Sequence, residues 1–268
     1  MQVENKESLL NLARNADERL FAARCLDYVH AVVKAKKAVV LTGFLDPGQV
    51  GLLEDICRGY GEVRALLWGG YPEAERRRAL VVAKDNQWYE EDYKVEILQV
   101  VPLKTDSLPG HRDYLGSLMG LGINRDKIGD IVRQDKGVAV FAAKEILAFL
   151  SQNLNKVGRY PVTVQLLDGA NFEFSAPVLI EKVVTTASPR LDALVGKAFN
   201  LSRTDSTLLV QQGKVFQNWR QQVNPSKLVV EGDVISCRGR GRFRVLKSAG
   251  MTKKAREKFI LGFDPEYK

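Results

Sequence analysis

Two stretches near the carboxyl end decide the fold of this chain. Residues 189–219 have the sequence PRLDALVGKAFNLSRTDSTLLVQQGKVFQNW, and residues 231–243 have the sequence EGDVISCRGRGRF. Ser188 and Pro189 predict a helix start, with Ser188 as the N-cap and Pro189 at the first helical position. Ser202 is a second favourable N-cap, and Gly213 is expected to end that helix in a left-handed conformation.

In order and spacing, these segments resemble the S4 domain, an RNA-binding module. The resemblance implies that Arg190-Leu191-Asp192 opens a first helix and that Ser202-Arg203 opens a second. Gln212-Gly213-Lys214-Val215 then leads into a first strand, and Glu231-Gly232-Asp233 precedes the last strands. The resemblance therefore implies an αL-type S4 domain at the carboxyl end.

The turn after the first of these strands departs from the S4 pattern. Asn218-Trp219 stands where Asn-Gly is more usual, so a tight primed turn is not expected. Trp219 is instead expected to be exposed enough to stack on a base or a ribose. Asp192 is acidic within a basic segment, and we expect an internal salt bridge or a capping role for it.

Basic side chains in this region are the expected RNA contacts. Free N–H groups at the helix start after Ser202 can bind a phosphate, and Arg203 can bind the same phosphate. Four arginines, from Arg238 to Arg244, occupy alternate positions, so in a strand they would share one face and favour a bound anion. The alternative is a solvated strand with extended side chains. The expected contacts are Arg190, Ser202, Arg203, Thr204, Lys214, Asn218, Trp219, Arg220, Arg238, Arg240 and Arg242.

The distribution of charge supports a polyanionic partner. The net charge of +8 divides unequally, because residues 187–268 carry 16 Lys and Arg against 7 Asp and Glu, whereas residues 1–186 carry 24 against 25. A region this basic attracts nucleic acid at long range. An anionic membrane surface is the second choice, since the cations do not follow one amphipathic helix. Lys253-Lys254-Ala255-Arg256 adds a further basic turn.

The rest of the chain predicts two mixed α and β regions. Residues 4–37 have helical periodicity, and residues 38–83 predict a strand, a helix and two strands. Residues 95–167 predict the order β-α-β-β-α-β, which is typical of ferredoxin-like and RRM-like domains. Phe141 is the one aromatic residue on the two central strands of this pattern, so we interpret it as a core residue, with base stacking as the alternative.

The predicted fold class is therefore an α+β multidomain protein. It has a mixed α/β amino-terminal domain over residues 1–84 and an RRM-like (ferredoxin-like) middle domain over residues 85–170. A linker with a strand over residues 171–187 leads to the S4 RNA-binding domain over residues 188–268.

Further segments resemble the bacterial YlmH-type S4-domain proteins. They are GFLDP at 43–47, WGGYPEAERRRA at 68–79, HRDYLGSLMGLG at 111–122 and RDKIGDI at 125–131. The resemblance spans nearly the whole chain. It implies RNA binding on the large ribosomal subunit, tRNA-linked rescue of stalled translation and, by genomic setting, a link to cell division. Arg76, Arg77, His111 and Arg112 are further candidate RNA contacts.

Several classes of protein are not expected. Cys25, Cys57 and Cys237 are widely separated, which favours buried thiols over a disulfide framework or a zinc site. The start of the chain does not resemble a secretion signal, and no apolar run reaches the ~20 residues of a membrane helix. A structural role is expected for His30. We find no GxGxxG after a strand, no Walker A motif and no Ser/His/Asp set, so neither an enzyme nor a cofactor is expected.

We expect a cytoplasmic, non-catalytic protein that docks on structured RNA. The expected RNA is ribosomal RNA of the large subunit, with or without tRNA, in translation quality control or rescue. No membrane insertion is expected, and the amino-terminal region is a candidate site for a protein partner. One alternative is an adaptor that links RNA or ribosomes to the cell-division machinery. The other is an RNA-modifying enzyme with an unrecognised active site.

Overall fold

The computed structural model describes residues 6–34, 37–84, 88–104, 108–252 and 255–265. Lys253 and Lys254 of the basic turn lie outside these ranges. The chain divides into two compact units, residues 1–174 and residues 175–268, and both contain helices and antiparallel sheet. Unit 1 and unit 2 denote these two parts below. The chain is thus a mixed α and β protein, whereas the finer domain limits stay a prediction.

The first part of unit 1 packs helices on a three-stranded sheet. Its helices are α1 (Lys6–Leu10), α2 (Ala16–Val33) and α3 (Pro47–Tyr60), and its strands are β1 (Val39–Leu45), β2 (Val63–Trp68) and β3 (Arg77–Ala83). The sheet order is β1-β3-β2, with both pairs antiparallel. Buried side chains of α2 and α3, such as Leu26 and Ile56, form one core with Val81 of β3.

Residues 4–37, predicted to be helical, form two helices in their described part, with a break between Leu10 and Ala16. Asn15 lies in this break in an extended conformation, and its side chain accepts a hydrogen bond from the Glu18 backbone N–H at 2.8 Å. Asn competes in this way with the helical backbone, so it starts α2 and separates it from α1. The same rule holds at α3, where Asp46 and Gln49 form a reciprocal capping box.

The second part of unit 1 is a five-stranded sheet with helices on one face. The elements are β4 (Val95–Pro102), α4 (His111–Gly120), β5 (Ile128–Gln134), β6 (Gly137–Ala143), α5 (Leu147–Asn153), β7 (Lys156–Val157) and β8 (Tyr160–Leu167). The sheet order is β5-β6-β4-β8-β7. Val138 and Val140 of β6 pack with Leu118 of α4 and Leu150 of α5, so this helix-covered face is one core.

The opposite face of this sheet is covered as well. Phe141 is 0% exposed, and its ring lies 4.8 Å from the ring of Tyr71 and 5.0 Å from that of Phe172. Gly70 makes the close approach possible, since a Cβ there would lie 2.3 Å from Phe141 Cδ1 and the backbone has a φ of +103°. The interpretation of Phe141 as a core residue is confirmed.

A carboxylate holds the covering segment in place. Asp130 of β5 accepts hydrogen bonds from the Tyr71 hydroxyl at 2.8 Å and from the backbone N–H groups of Glu75 at 2.7 Å and Arg76 at 3.0 Å. Burial raises the pKa of Asp130, and these three donors only partly offset that effect. The segment around Tyr71 is therefore fixed to the sheet by polar contacts at its edge and by aromatic packing over its centre.

Unit 2 places two helices on a six-stranded antiparallel sheet. Its elements are β9 (Ile180–Thr186), α6 (Leu191–Phe199), α7 (Arg203–Gln211), β10 (Val215–Gln217), β11 (Arg220–Gln222), β12 (Val234–Cys237), β13 (Gly241–Met251) and β14 (Glu257–Phe263). The sheet order is β11-β10-β12-β13-β14-β9. Leu194 and Val210 of the helices pack on Val215, Ile235 and Phe243 of the strands, which forms a separate core.

The helix start predicted at Ser188-Pro189 is wrong, because α6 begins at Leu191 with Arg190 as its N-cap residue. The preceding residues are instead extended and bonded to a later segment. The Pro189 carbonyl accepts from the Val229 N–H at 2.9 Å, and Arg190 forms a β-bridge with Leu228. This long-range pairing overrides the local preference of Ser and Pro for a helix start.

Candidate nucleic-acid interface

The start of α7 is exposed, as its sequence predicts. Ser202 is the N-cap, and its hydroxyl oxygen accepts a hydrogen bond from the Asp205 N–H at 3.1 Å while donating to the Asp205 carboxylate at 2.7 Å. Arg203 and Thr204 are exposed on the first turn. At the other end, Gly213 has a φ of +66°, which confirms the expected left-handed helix stop.

Arg190 and Asp192 form an ion pair at the start of α6. The Arg190 guanidinium donates to both carboxylate oxygens of Asp192, at 3.0 and 2.7 Å, and the Asp192 side chain is 1% exposed. Burial raises the pKa of Asp192, but Arg190 and the Thr207 hydroxyl outweigh it and hold the pKa below its usual range. The internal salt bridge expected of Asp192 is confirmed, and Arg190 is engaged in it.

The hairpin between β10 and β11 differs from the prediction. Gln217 pairs with Arg220, which leaves a two-residue loop, and both loop residues have positive φ: 52° at Asn218 and 62° at Trp219. Positive φ at both positions of a two-residue loop defines a tight primed turn. The expectation that this turn is not a tight primed turn is therefore wrong.

Asp233 holds this turn from a distant point of the sequence. Its carboxylate accepts from the Asn218 side-chain amide at 2.7 Å and from the Gln217 side-chain amide at 2.6 Å. The Asn218 side-chain oxygen in turn accepts from the Val234 N–H at 2.9 Å. The turn is thus clamped to the start of β12, which explains how it forms without glycine.

One face of the β10–β13 sheet points away from the core. Phe216 pairs with Ser236, and Ser236 pairs with Arg242, so these three side chains lie on the same side. Their neighbours Val215, Ile235 and Phe243 are buried in the core on the other side. We call the side that carries Phe216, Trp219, Ser236, Arg238 and Arg242 the outer sheet face.

Arginines and aromatic rings alternate on the outer sheet face. The Arg238 guanidinium carbon lies 4.9 Å from the centre of the Phe216 ring, and that of Arg242 lies 5.8 Å from the centre of the Trp219 ring. Both distances are within the range of cation–π attraction. Arginine is the cation that combines stacking on aromatic rings with forked hydrogen bonding to phosphate and base edges.

The predicted row of four arginines on one strand is wrong. Arg238 and Arg240 lie in the turn between β12 and β13, and only Arg242 and Arg244 lie on a strand. Gly239, with a φ of +77°, lies between the first two and permits the chain reversal. Arg238 nevertheless contacts the outer sheet face through Phe216, so the structure brings Arg238 and Arg242 to one surface by a hairpin.

Lys214 lies beside this surface, and Arg220 lies at the base of the turn. The Lys214 carbonyl accepts a hydrogen bond from the Arg238 N–H at 2.9 Å, and the Lys214 side chain is exposed. Phe216 and Ser236 were not among the predicted contacts. The alternation of Phe216 and Trp219 with basic residues in the sequence was the signal that could have indicated this surface. Which of these side chains share a face, however, depends on the register of the strands.

The further candidates in unit 1 have different environments. Arg76 donates to the carbonyl oxygens of Phe44 at 2.8 Å and Ile128 at 3.2 Å, and burial lowers its pKa. Arg77 is half-buried at the start of β3. His111 and Arg112 begin α4, with Arg112 exposed. Arg112 is therefore the best placed of these four for a contact with RNA.

The three cysteines are buried free thiols, as predicted, and burial raises the pKa values of Cys25 and Cys57 to about 12. Among the described residues, no three His, Cys, Asp or Glu side chains are grouped as metal ligands. The described helices include none that is long and apolar enough to cross a membrane. His30 contacts the Tyr60 hydroxyl at 2.6 Å, which is consistent with the expected structural role.

These features define a mixed α and β protein whose carboxyl-terminal unit presents arginines and aromatic rings on an open sheet face. A family model described as "Putative RNA-binding domain in YlmH" matches residues 89–171, and one described as "YlmH, N-terminal" matches residues 17–86. The "Ribosome-associated protein quality control protein P2" of Bacillus subtilis (strain 168) is 33% identical over 238 residues, covering 89% of this chain and 92% of the relative. The chain belongs to the YlmH family.

A solved structure shows a similar fold. The cell division protein ylmH from Streptococcus pneumoniae matches with a TM-score of 0.52 and 21% sequence identity. The match covers 59% of this chain and 95% of that chain. At this identity the likeness concerns the fold alone.

Proposed function

We propose that this chain is a non-catalytic RNA-binding protein that acts on the ribosome in translation quality control or rescue. The name of the Bacillus subtilis relative and the description of the family model over residues 89–171 support the RNA and ribosome connection. The structural observation that carries the proposal is the outer sheet face of unit 2. Exposed cations there are positioned by hairpins and ring contacts, and unit 2 carries 17 Lys and Arg against 8 Asp and Glu.

We further propose that residues 188–268 form an S4-type module and that residues 85–170 form an RRM-like domain. Two short helices followed by the β10–β11 hairpin support the first assignment. The order β4-α4-β5-β6-α5-β8, interrupted only by the short β7, supports the second. Topology of this kind hosts many functions, so the RNA proposal depends on the surface residues.

The two units are proposed to contribute unequally to affinity. In unit 1, the sheet face opposite the helices is partly covered by Tyr71 and Phe172, and its aromatic residue Phe141 is 0% exposed. RRM domains stack bases on such a face through accessible aromatic rings. We therefore place the main RNA contact in unit 2, at the start of α7, at Lys214 and on the outer sheet face.

The proposed partner is structured ribosomal RNA of the large subunit, with or without tRNA, in the cytoplasm. Rigid elements position the cations, as suits a folded RNA whose phosphates have fixed spacing. A second proposal is an adaptor that links ribosomes to the cell-division machinery, which the name of the Streptococcus pneumoniae neighbour motivates. Both proposals predict that purified chain sediments with purified ribosomes. A division protein that co-purifies with the chain from cells would favour the adaptor, and its absence would favour the first proposal.

Separating the two units tests the location of the affinity. Residues 175–268 form a compact unit with its own core, so this fragment is expected to keep most of the nonspecific RNA affinity, and residues 1–174 little. The fragment's affinity should fall with salt by about 0.7 to 0.9 log units per log unit of salt for each phosphate neutralised. Equal affinity of the two fragments in a filter-binding titration would contradict the proposal.

A further inference from the structure

Trp219 has a left-handed backbone conformation, which is strained for a bulky residue. A φ of 62° is unusual for a bulky side chain, and the second position of a primed two-residue turn normally carries glycine. Such strain persists only where the surrounding structure enforces it, and it is concentrated at functional sites. Here Asp233 enforces it, because its carboxylate holds both Gln217 and Asn218 at 2.6 and 2.7 Å.

The strained turn carries the Trp219 ring to the outer sheet face. The ring is partly exposed, and the Arg242 guanidinium lies 5.8 Å from its centre. Phe216 is the second partly exposed ring on this face, with Arg238 at 4.9 Å from its centre. Two aromatic rings and two arginines therefore share one surface that the core does not use.

We infer that this surface is a stacking site for unpaired RNA bases, with Trp219 as the platform and Asp233 as the residue that positions it. The inference rests on the proposed RNA-binding function and names the part of the RNA that unit 2 selects. Every base has a π-face that can stack on an aromatic ring, whereas a paired base inside a helix presents only its edges. Arg238 and Arg242 lie where they neutralise the phosphates on either side of a stacked base.

The charge of the surface favours RNA over an aromatic protein segment. Arg238 and Arg242 lie against the two rings, and Arg240 and Arg244 of the same hairpin are exposed. Like charges gathered on one hairpin repel one another unless an anion lies between them. A nucleotide brings a ring and an anion together at a fixed spacing. If the surface served an acidic protein segment instead, the RNA affinity of the chain would not depend on whether the RNA bases are paired.

The test compares two RNAs with the same number of phosphates, using the full chain. One is a hairpin with an unpaired purine-rich loop, and the other is a fully paired duplex. The wild-type chain is expected to bind the hairpin at least about tenfold more tightly than the duplex. Trp219→Gly removes the ring and gives the turn its preferred residue, so it should abolish that preference while leaving the melting temperature unchanged or higher.

Arg203→Ala is the matched control, because it removes a cation at the start of α7 and not a ring. It should weaken binding of both RNAs by a similar factor and keep the preference for the hairpin. If neither RNA binds the wild-type chain, the proposed function itself fails. If the wild-type chain binds both RNAs equally, or if Trp219→Gly keeps the preference, the stacking site is wrong. A lower melting temperature with equal losses for both RNAs would show that the Trp219 ring is structural.

Discussion

One sheet face in each unit invites comparison, because both carry aromatic residues and they differ in how accessible those residues are. In unit 1, Phe141 is 0% exposed beneath Tyr71 and Phe172. In unit 2, Phe216 and Trp219 are partly exposed on the outer sheet face, each beside an arginine. An aromatic residue on a strand is therefore insufficient to predict base stacking, because the chain itself can occupy the surface.

The difference has a physical cause in what each unit places over its sheet. Unit 1 has a glycine at position 70, whose missing Cβ lets the following segment approach Phe141, and Asp130 to bind that segment by three hydrogen bonds. Unit 2 has Arg238 and Arg242 beside its two rings, and burying like charges beneath a protein segment would be costly. Burial of apolar area closes the first face, and charge keeps the second accessible.

Removing the two phenylalanines tests this comparison most strongly. Phe141→Ala should lower the free energy of unfolding of unit 1 by about 3–5 kcal/mol, because a fully buried ring leaves a cavity. Its effect on RNA affinity should be small. Phe216→Ala should lower stability less than Phe141→Ala does, and it should clearly weaken RNA binding. Urea denaturation and RNA filter binding measure both; Phe141→Ala with normal stability and lost RNA binding would overturn the core assignment.

The sequence predicted those features of unit 2 that local rules determine. The Ser202 cap and the left-handed Gly213 depend on neighbouring residues only, and both are confirmed. The Asn218-Trp219 turn was mispredicted because Asp233, fifteen residues beyond Asn218, supplies the contacts that stabilise it. The residues next to the turn cannot reveal a stabilising contact with a residue so far along the chain.

The arginine row shows a second limit of sequence patterns. Arginines at every second position from Arg238 to Arg244 fit either one strand or a hairpin. Gly239 and Gly241, which both have positive φ, were the local signals of a reversal. Likewise, Phe216 and Arg242 share a face only because β10, β12 and β13 pair in a particular register. Most strand locations in unit 1 were predictable, because continuous apolar runs such as β3 have few alternatives.

Reversing charge on unit 2 should strongly reduce RNA affinity. Arg203→Glu combined with Lys214→Glu replaces two attractive contacts with two repulsive ones, and both side chains are exposed. We expect an affinity loss of about 100-fold, or about 2.7 kcal/mol, at moderate salt. Stability should change by less than about 0.5 kcal/mol, since both are surface positions. Ribosome co-sedimentation measures the loss, and circular dichroism checks the fold.

The matched control carries the same charge change on unit 1. Lys84→Glu combined with Lys136→Glu also reverses two exposed lysines. This pair should change affinity by much less than the unit 2 pair, because only a long-range charge effect remains. Equal losses for the two double variants would mean that net charge, and not the proposed surface, controls binding.

Weakening the attachment of the segment around Tyr71 to the unit 1 sheet should have a smaller effect on stability. Asp130→Asn leaves one buried N–H donor without an acceptor, which should cost about 2 kcal/mol of stability. The pH dependence has a definite sign, because burial raises the pKa of Asp130 in the folded chain. The advantage of the wild-type chain should be largest below the unfolded pKa of about 3.9 and should decrease as pH rises through the folded pKa.

The Asp192→Asn variant of unit 2 should show the opposite trend. Despite burial, the Arg190 ion pair holds the pKa of Asp192 below its usual range. The stabilising contribution should therefore be fully present above about pH 4 and should be lost as pH falls through the folded pKa. Urea denaturation midpoints of the wild type and of both variants, measured across acidic pH, give the stability difference between the wild type and each variant. The slope of that difference against pH is the quantity to compare. Slopes of the same sign would contradict the structure.

The smallest expected effect concerns a secondary RNA contact on unit 1. Arg112 is exposed on the first turn of α4, so Arg112→Ala should weaken RNA binding by about threefold and reduce the salt slope by about one phosphate. Arg76→Ala is the informative comparison, because the Arg76 side chain donates to the carbonyl oxygens of Phe44 and Ile128. That variant should lose stability with an unchanged salt slope. If Arg112→Ala leaves affinity and slope unchanged in a filter-binding titration, unit 1 supplies no RNA contact at this helix, and the contrast between the two units is sharper than proposed.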